Sequence, residues 1–243
     1  MLTFDFKKIN IPDSAKVLDL GCGEGRHIFG IMDRFPNAYC IGLDLHTESL
    51  KIAQEGAEYF ESISNEGAGF TMASGYQMPF ADSSFDMVVC SEVLEHLINY
   101  EDALDEIERI LKPGGYFLPS FPAYWPERVC WMLSEDYHNM PGGHVRIFKK
   151  KDAINTISSH GFKYISSEKF HSLHAPYWWL RCMFWKTQET NILVRAYKKV
   201  LEKQILEKPL YLEILDKILN PILGKSIAMY YQKKYAYANK EDI

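Results

Sequence analysis

Residues 17–27 read V-L-D-L-G-C-G-E-G-R-H, and this stretch decides the fold. It joins an apolar run at 15–20, read as a strand, to residues 24–35, where Ile28, Ile31, Met32 and Phe35 form one helical stripe. Gly21, Gly23 and Gly25 let the backbone turn tightly and approach a ligand where a Cβ would clash. Asp19 falls at the end of the strand, at the crevice where open α/β sheets take their ligands. The spacing is G-x-G-x-G. A dinucleotide fingerprint needs a wider one, and Arg26 occupies the position of its last glycine. The Gly-Lys-Ser/Thr of a phosphate loop is also missing. Asp19 and Glu24 would repel a pyrophosphate, so the expected ligand is cationic or zwitterionic. Asp44, ending the next apolar run at 38–43, is placed to accept hydrogen bonds from two ribose hydroxyls.

Working outward, strand-like and helical segments alternate. Leu50, Ala53, Ala57 and Phe60 make a second helical stripe. Residues 70–73 and 85–90 are strand candidates. Leu104, Ile107, Ile110 and Leu111 share one helical face, stopped by Lys112-Pro113-Gly114-Gly115. Residues 116–118 make another strand, followed much later by a helix at 150–159 and a strand at 162–169. Such alternation implies a doubly wound, mostly parallel sheet with helices on both faces. The proline- and aromatic-rich stretch 119–148 reads as a long functional lid loop. Helices are expected at 192–206 and 210–219, the second ended by Pro221. Residues 226–232 would form a closing strand. The expected organisation is a cofactor-binding core at 1–170, a helical cap inserted at 171–225, and a closing strand and tail at 226–243.

Composition narrows the class. Of 243 residues, 47% are hydrophobic and 24% charged, so the chain is globular rather than disordered. No run of 18 apolar residues occurs to span a membrane, and the start M-L-T-F-D-F-K-K is not a secretory signal. The five cysteines are widely spaced and form no C-x-x-C, which argues against a disulfide framework or zinc ribbon and for a reducing, cytoplasmic compartment. The net charge of −5 is unevenly spread: −10 over residues 1–180 and +5 over 181–243. An acidic front is a poor match to nucleic acid.

Taken together, four motifs resemble one family. Residues 19–25, D-L-G-C-G-E-G, look like the first motif of class I S-adenosylmethionine-dependent methyltransferases. Asp44 matches the family's ribose-binding acid. M-P-F-A-D-S-S-F-D-M-V at 78–88 resembles its L-P-F-x-D-x-S-F-D-x-V segment. S-E-V-L-E-H-L at 91–97, followed by L-K-P-G-G at 111–115, matches its fourth strand and the turn before the fifth. The resemblance covers roughly residues 14–165 and is nearest to ubiquinone and menaquinone biosynthesis methyltransferases. It implies a Rossmann-like sheet of seven strands and S-adenosylmethionine as cofactor. Asp19 and the backbone of Gly21, Cys22, Gly23 and Gly25 would hold the methionine carboxylate and amine. Asp44 would hold the ribose and Leu45 would pack on adenine, with Ser91 and Glu92 beside the methionine portion. The family usually has an acid where this chain has Ser74, so adenine would fall to the backbone of Gly75 and Tyr76, or to Gln77.

Methyl transfer needs in-line alignment, and a hydroxyl or acidic-carbon acceptor also needs a base. His96 and His144 are the candidates; a structural hydrogen bond at the start of a helix is the competing role for His96. Glu92, Glu95, His96 and His144 also resemble an E-x-x-E-H plus distal His metal site of some members. Because E-H-L is common in metal-free relatives, no metal is assigned. The acceptor is expected to be a small, hydrophobic or glycosylated metabolite, O-methylated in preference to C-methylated. It would lie between the lid and the aromatic cluster around His171, His174, Tyr177, Trp178 and Trp179, most of which would be core of the cap. The basic residues of the cap, among them Arg181, Lys186 and Arg195, suit an anionic acceptor or peripheral contact with lipid headgroups. Two alternatives are a non-catalytic scaffold acting through the cap and a nicotinamide oxidoreductase. Intact glycines and aspartates disfavour the first, the glycine spacing the second.

Overall fold

The computed structural model describes residues 2–60 and 66–235; the tail assigned to 236–243 lies outside them. In chain order the strands are β1 (Lys16–Leu20), β2 (Tyr39–Asp44), β3 (Ala68–Met72), β4 (Phe85–Ser91), β5 (Leu111–Pro122), β6 (Phe162–Phe170) and β7 (Ser226–Lys233). They form one sheet in the order β3-β2-β1-β4-β5-β7-β6. β1 to β5 run parallel, and β7 lies antiparallel between β5 and β6. The chain leaves β1 toward β2 and β3, then returns to place β4 on the other side of β1. This reversal opens a crevice at the carboxyl ends of β1 and β4, where such sheets bind ligands.

Side chains alternate across the central strands, as a period of two requires. Val17, Met87 and Val89 point to the face covered by Ile28, Ile31 and Met32 of α1 (Arg26–Arg34) and Leu50 of α2 (Thr47–Phe60). Leu18, Val88 and Cys90 point to the other face. There they meet Leu104, Ile107 and Ile110 of α3 (Tyr100–Ile110) and Ile157 of α6 (Lys150–Ser159). With both faces covered, β1 and β4 need mostly apolar residues on both faces, which is how they read in sequence apart from Lys16, Asp19 and Asp86.

The expected lid loop at 119–148 is corrected. β5 continues to Pro122, followed by α4 (Tyr124–Leu133) and α5 (Glu135–His138), leaving only 139–149 irregular. Prolines misled because of where they sit: Pro126 is in the first turn of α4, where no backbone N–H is needed. Pro176 does the same in α7 (His174–Met183), a helix the aromatic composition concealed. After β6 come α7, α8 (Ile192–Leu206) and α9 (Leu210–Leu223), and then β7. Asn191 caps α8, its side chain accepting from the N–H groups of Leu193 and Val194. α9 runs two residues beyond Pro221 instead of ending there. Cys130, Tyr137 and Cys182 pack with four tryptophans to join α4, α5 and α7.

Candidate active site

The glycine loop is fixed by its backbone. Gly21, Gly23 and Gly25 have φ of 71°, 51° and 84°, the left-handed region that favours glycine. The N–H groups of Gly21 and Cys22 donate to Leu43 O at 2.7 and 3.1 Å, tying the loop to the end of β2. Gly23 N–H donates to Asp44 Oδ2 at 2.8 Å, and His46 N–H donates to Asp44 Oδ1 at 2.9 Å. Each Asp44 oxygen therefore keeps a further lone pair for a ligand. A Cβ on Gly21 would lie 2.3 Å from Val93 Cγ2, whereas one on Gly23 would meet nothing within 4 Å. The loop thus packs closely on one side and leaves open space on the other. A cleft of about 340 Å³ runs beside it, lined by Gly21, Asp44, Leu45, Gly75, Glu92 and His96 among others.

Beneath the loop lies Asp19, 1% exposed, and neither carboxylate oxygen has a hydrogen-bond partner among the described residues. Burial, helped by the nearby Asp44 and opposed by Arg26, pushes its pKa up to about 8. A buried carboxylate without a protein partner is costly. A ligand ammonium would supply the missing charge, so this site fits a zwitterionic methionine portion.

Other expected cofactor residues divide. Leu45 stands at the mouth of the cleft, 63% exposed. Cys22 is buried in the core, and its sulfur packs near Gly42, so only its backbone faces the loop. Ser91 Oγ is engaged with Ser120 Oγ at 2.9 Å. Ser74 Oγ accepts from Tyr76 N–H at 3.2 Å, closing a small turn; of that turn, Gly75 reaches the cleft wall. Gly25 serves as the N-cap of α1.

A second cavity, of about 290 Å³, adjoins the cleft and shares Glu92, His96 and Gly142 with it. His96 and His144 meet there, ring centroids 4.9 Å apart. Gly142 O and Gly143 O lie 2.9 and 3.2 Å from His96 Nδ1. Carbonyls only accept, so Nδ1 carries the hydrogen and Nε2 offers its lone pair. Burial and the neighbouring His144 hold the His96 pKa down. His144 Nδ1 lies 2.7 Å from Glu127 Oε1. Burial pushes the Glu127 carboxyl up, but the His144 hydrogen bond and the Lys225 charge outweigh it and hold the pKa at about 2. The ionised acid makes Nδ1 the donor here too. Glu95, fully buried and without a partner among the described residues, completes a cluster with His96 and His144 whose donor atoms lie within 4.8 Å of one another. Burial and then Glu92 raise the Glu95 pKa well above the usual carboxylate range.

Sequence reasoning missed Glu127, Lys225 and Tyr137. Glu127 accepts from Tyr137 OH at 2.8 Å and from Lys225 Nζ at 2.6 Å, and none of its side chain is exposed. Its partners lie 10, 17 and 98 residues away, so no spacing signals the cluster. Backbone strain marks the same cavity. Glu92 and His171, non-glycine residues at φ 56° and 65°, both line it.

A glycine loop and an acid-ended β2 at the switch point of this seven-stranded sheet define a Rossmann-like, class I methyltransferase fold. Residues 18–118 match the family described as methyltransferase domain, so that stretch of the chain is similar to methyltransferases. A sterol 24-C-methyltransferase of Gibberella zeae is 29% identical over 187 residues, covering 70% of this chain and 46% of that protein. The mitochondrial 2-methoxy-6-polyprenyl-1,4-benzoquinol methylase of Caenorhabditis elegans is 30% identical over 107 residues, 44% of this chain and 38% of that one. The chain thus spans less than half the length of these curated relatives. Among solved structures, an S-adenosylmethionine-dependent methyltransferase of Methanosarcina mazei has a TM-score of 0.63 at 16% identity, covering 96% and 99% of the two chains. That likeness is one of fold.

Proposed function

We propose that this protein methylates a hydroxyl of a small, largely apolar acceptor, with His144 as the base. The observation that carries the reading is the common wall: the cleft beside the glycine loop and the cavity holding the His144–Glu127 pair meet at Glu92, His96 and Gly142. When bound, S-adenosylmethionine supplies a methyl on a positively charged sulfur that departs as a neutral thioether. Asp19 would face the cofactor ammonium, the Asp44 oxygens its ribose hydroxyls, and Gly75 and Leu45 its adenine. His144, held in one tautomer by Glu127, would take the acceptor proton on Nε2. Lys225 keeps Glu127 ionised, so the proton stays on the imidazole. Tyr137 and Trp178 give the cavity an aromatic wall for an apolar acceptor. The relatives methylate sterols or a polyprenyl benzoquinol by name, which supports a small-molecule acceptor. The division into core, helical cap at 171–225 and closing strand is part of this proposal, with the cap walling the acceptor cavity. The five free, buried cysteines agree with a reducing compartment such as the cytoplasm. Calorimetry with S-adenosylmethionine tests the reading: micromolar binding by the wild type and its loss in Asp44→Ala are expected. No binding by the wild type would sink it.

One observation favours a second reading. Both histidines spend Nδ1 on an oxygen and keep Nε2 free, the arrangement of metal-ligating imidazoles, and Glu95 adds an unpartnered carboxylate. A divalent ion on Glu95, His96 and His144 would supply a Lewis acid to polarise the acceptor hydroxyl. Thermal melts with Mg²⁺, Mn²⁺ and Zn²⁺ decide: stabilisation of the wild type but not of Glu95→Gln supports the ion, and identical melts remove it.

A further inference from the structure

Helix α9 turns large apolar residues toward solvent. Leu212 and Leu219 pack inward with Leu173 and Leu201. By contrast Leu210, Ile214, Ile218 and Ile222, each four residues from the next, are 74%, 48%, 67% and 64% exposed, with exposed Tyr211 and Leu215 beside them. At about 100° per residue these six fall within an arc of about 140°. Single exposed leucines need no explanation, but a contiguous stripe of this kind marks an interaction surface. At its end Trp125, itself partly exposed, donates its indole N–H to Ile222 O at 2.9 Å. A tryptophan with one wet and one apolar side suits a lipid–water boundary.

Charge selects the occupant. Arg195, Lys199 and Lys208 of the preceding segment, and Lys217 beside the stripe, are exposed. Residues 181–243 carry +5 while the rest of the chain carries −10. An acidic body and a basic, apolar cap orient the molecule toward an anionic surface. A two-fold contact with a second copy would set these cations against each other. At 14 residues, about 21 Å, α9 is too short for a bilayer's roughly 30 Å core and would lie along the surface.

We propose that α9 and Trp125 seat the protein on an anionic lipid surface. The seat connects directly to the cavity. Ser172 Oγ and Leu173 N–H donate to Asp216 Oδ1 of α9 at 2.8 and 3.1 Å, between the cavity-lining His171 and His174. Trp125 stands two residues before Glu127 on α4. An acceptor dissolved in the membrane would thus enter beside the face that docks. The inference needs no methyl transfer, so its failure leaves the enzymatic reading untouched.

Co-sedimentation of the full chain with phosphatidylglycerol-rich vesicles, with pure phosphatidylcholine as the comparison, tests it. Preferential, salt-sensitive binding to the anionic vesicles is expected. Ile214→Glu/Ile218→Glu should weaken that binding about tenfold or more. Lys208→Glu/Lys217→Glu, which spares the apolar stripe, should weaken it also. Melting curves establish that each variant folds. Equal sedimentation with and without vesicles would overturn the proposal. So would a wild-type dimer, seen by light scattering, that Ile214→Glu/Ile218→Glu dissociates.

Discussion

His144 Nδ1 and Glu127 Oε1 lie 2.7 Å apart, on a carboxylate that also accepts from Lys225 and Tyr137 and has no solvent contact. The pair fixes which histidine nitrogen faces the shared cavity. Glu127→Gln keeps the shape but can present its amide N–H to Nδ1, which favours the wrong tautomer. Turnover should fall by about 10²-fold or more while cofactor affinity stays near wild type. Lys225 would lose its countercharge in a buried place, at a cost on the order of 3 kcal/mol. Single-turnover methyl transfer and denaturant unfolding measure the two effects separately. Unchanged turnover in a folded variant would remove His144 as the base.

The low pKa of Glu127, about 2, also sets an acid limit. Its folded value lies below the unfolded value of about 4.3, so its contribution is full above that pH. The contribution fades as pH falls from about 4 toward 2. Melting temperature followed from pH 6 to pH 3 should drop more steeply in the wild type than in Glu127→Gln.

Asp19 runs the other way. Its folded pKa of about 8 exceeds the unfolded value, so the free protein holds an extra proton and loses stability as pH rises from about 4 to 8. A cationic ligand beside it reverses this by favouring the carboxylate. Binding of S-adenosylmethionine at pH 7 should therefore release close to one proton, measurable by calorimetry in buffers of different ionisation enthalpy. Asp19→Asn should release none, and its stability should be flatter over the same pH range. Equal proton release by both proteins would refute the assignment.

The geometry of the proposed cofactor cleft was legible because it is local. Asp19, the three glycines and Asp44 sit on backbone turns and strand ends, which short spacings encode. The sheet was legible for a related reason: β1 and β4 are buried on both faces, so their apolar runs stand out. The acceptor half was not. Glu127 and Lys225 are charged residues that any pattern reading leaves on the surface, and only the tertiary approach of the start of α4 to the residue before β7, where Ala123 N–H donates to Lys225 O at 2.7 Å, brings them together. Prolines caused the other misreading, since a first-turn proline and a loop proline look alike in sequence.

Within the glycine loop, two alanine substitutions should differ. Both enforce a left-handed residue, which costs about 1–2 kcal/mol. Gly21→Ala adds a collision 2.3 Å from Val93 Cγ2, so it should destabilise the fold well beyond that amount. Gly23→Ala meets nothing within 4 Å. Its stability loss should stay near the conformational cost, and cofactor affinity should suffer instead. Unfolding free energies set beside dissociation constants for the two variants check the contrast; equal unfolding losses would contradict it.

Arg146 decides whether residues 139–149 behave as a free loop. Its guanidinium donates to Leu94 O at 3.0 Å, to Ile98 O at 2.6 Å and to Leu97 O, while Val145 N–H donates to Glu95 O at 3.0 Å. The ring of Tyr100 stacks under the guanidinium, 4.6 Å from its centroid. The turn bearing Glu92, Glu95 and His96 and the loop bearing His144 are therefore clamped as one piece. Arg146→Ala leaves three carbonyls short of a donor and frees the loop. Amide exchange should rise at 139–149 with the sheet unaffected, since none of these bonds reaches a strand. Misplacing the base relative to the acceptor should lower kcat more than it raises the cofactor Kd. If exchange at 139–149 matches the wild type, the bonds from Val145 N–H to Glu95 O and from His96 to Gly142 O and Gly143 O hold the loop without Arg146, and its guanidinium has no part in placing His144.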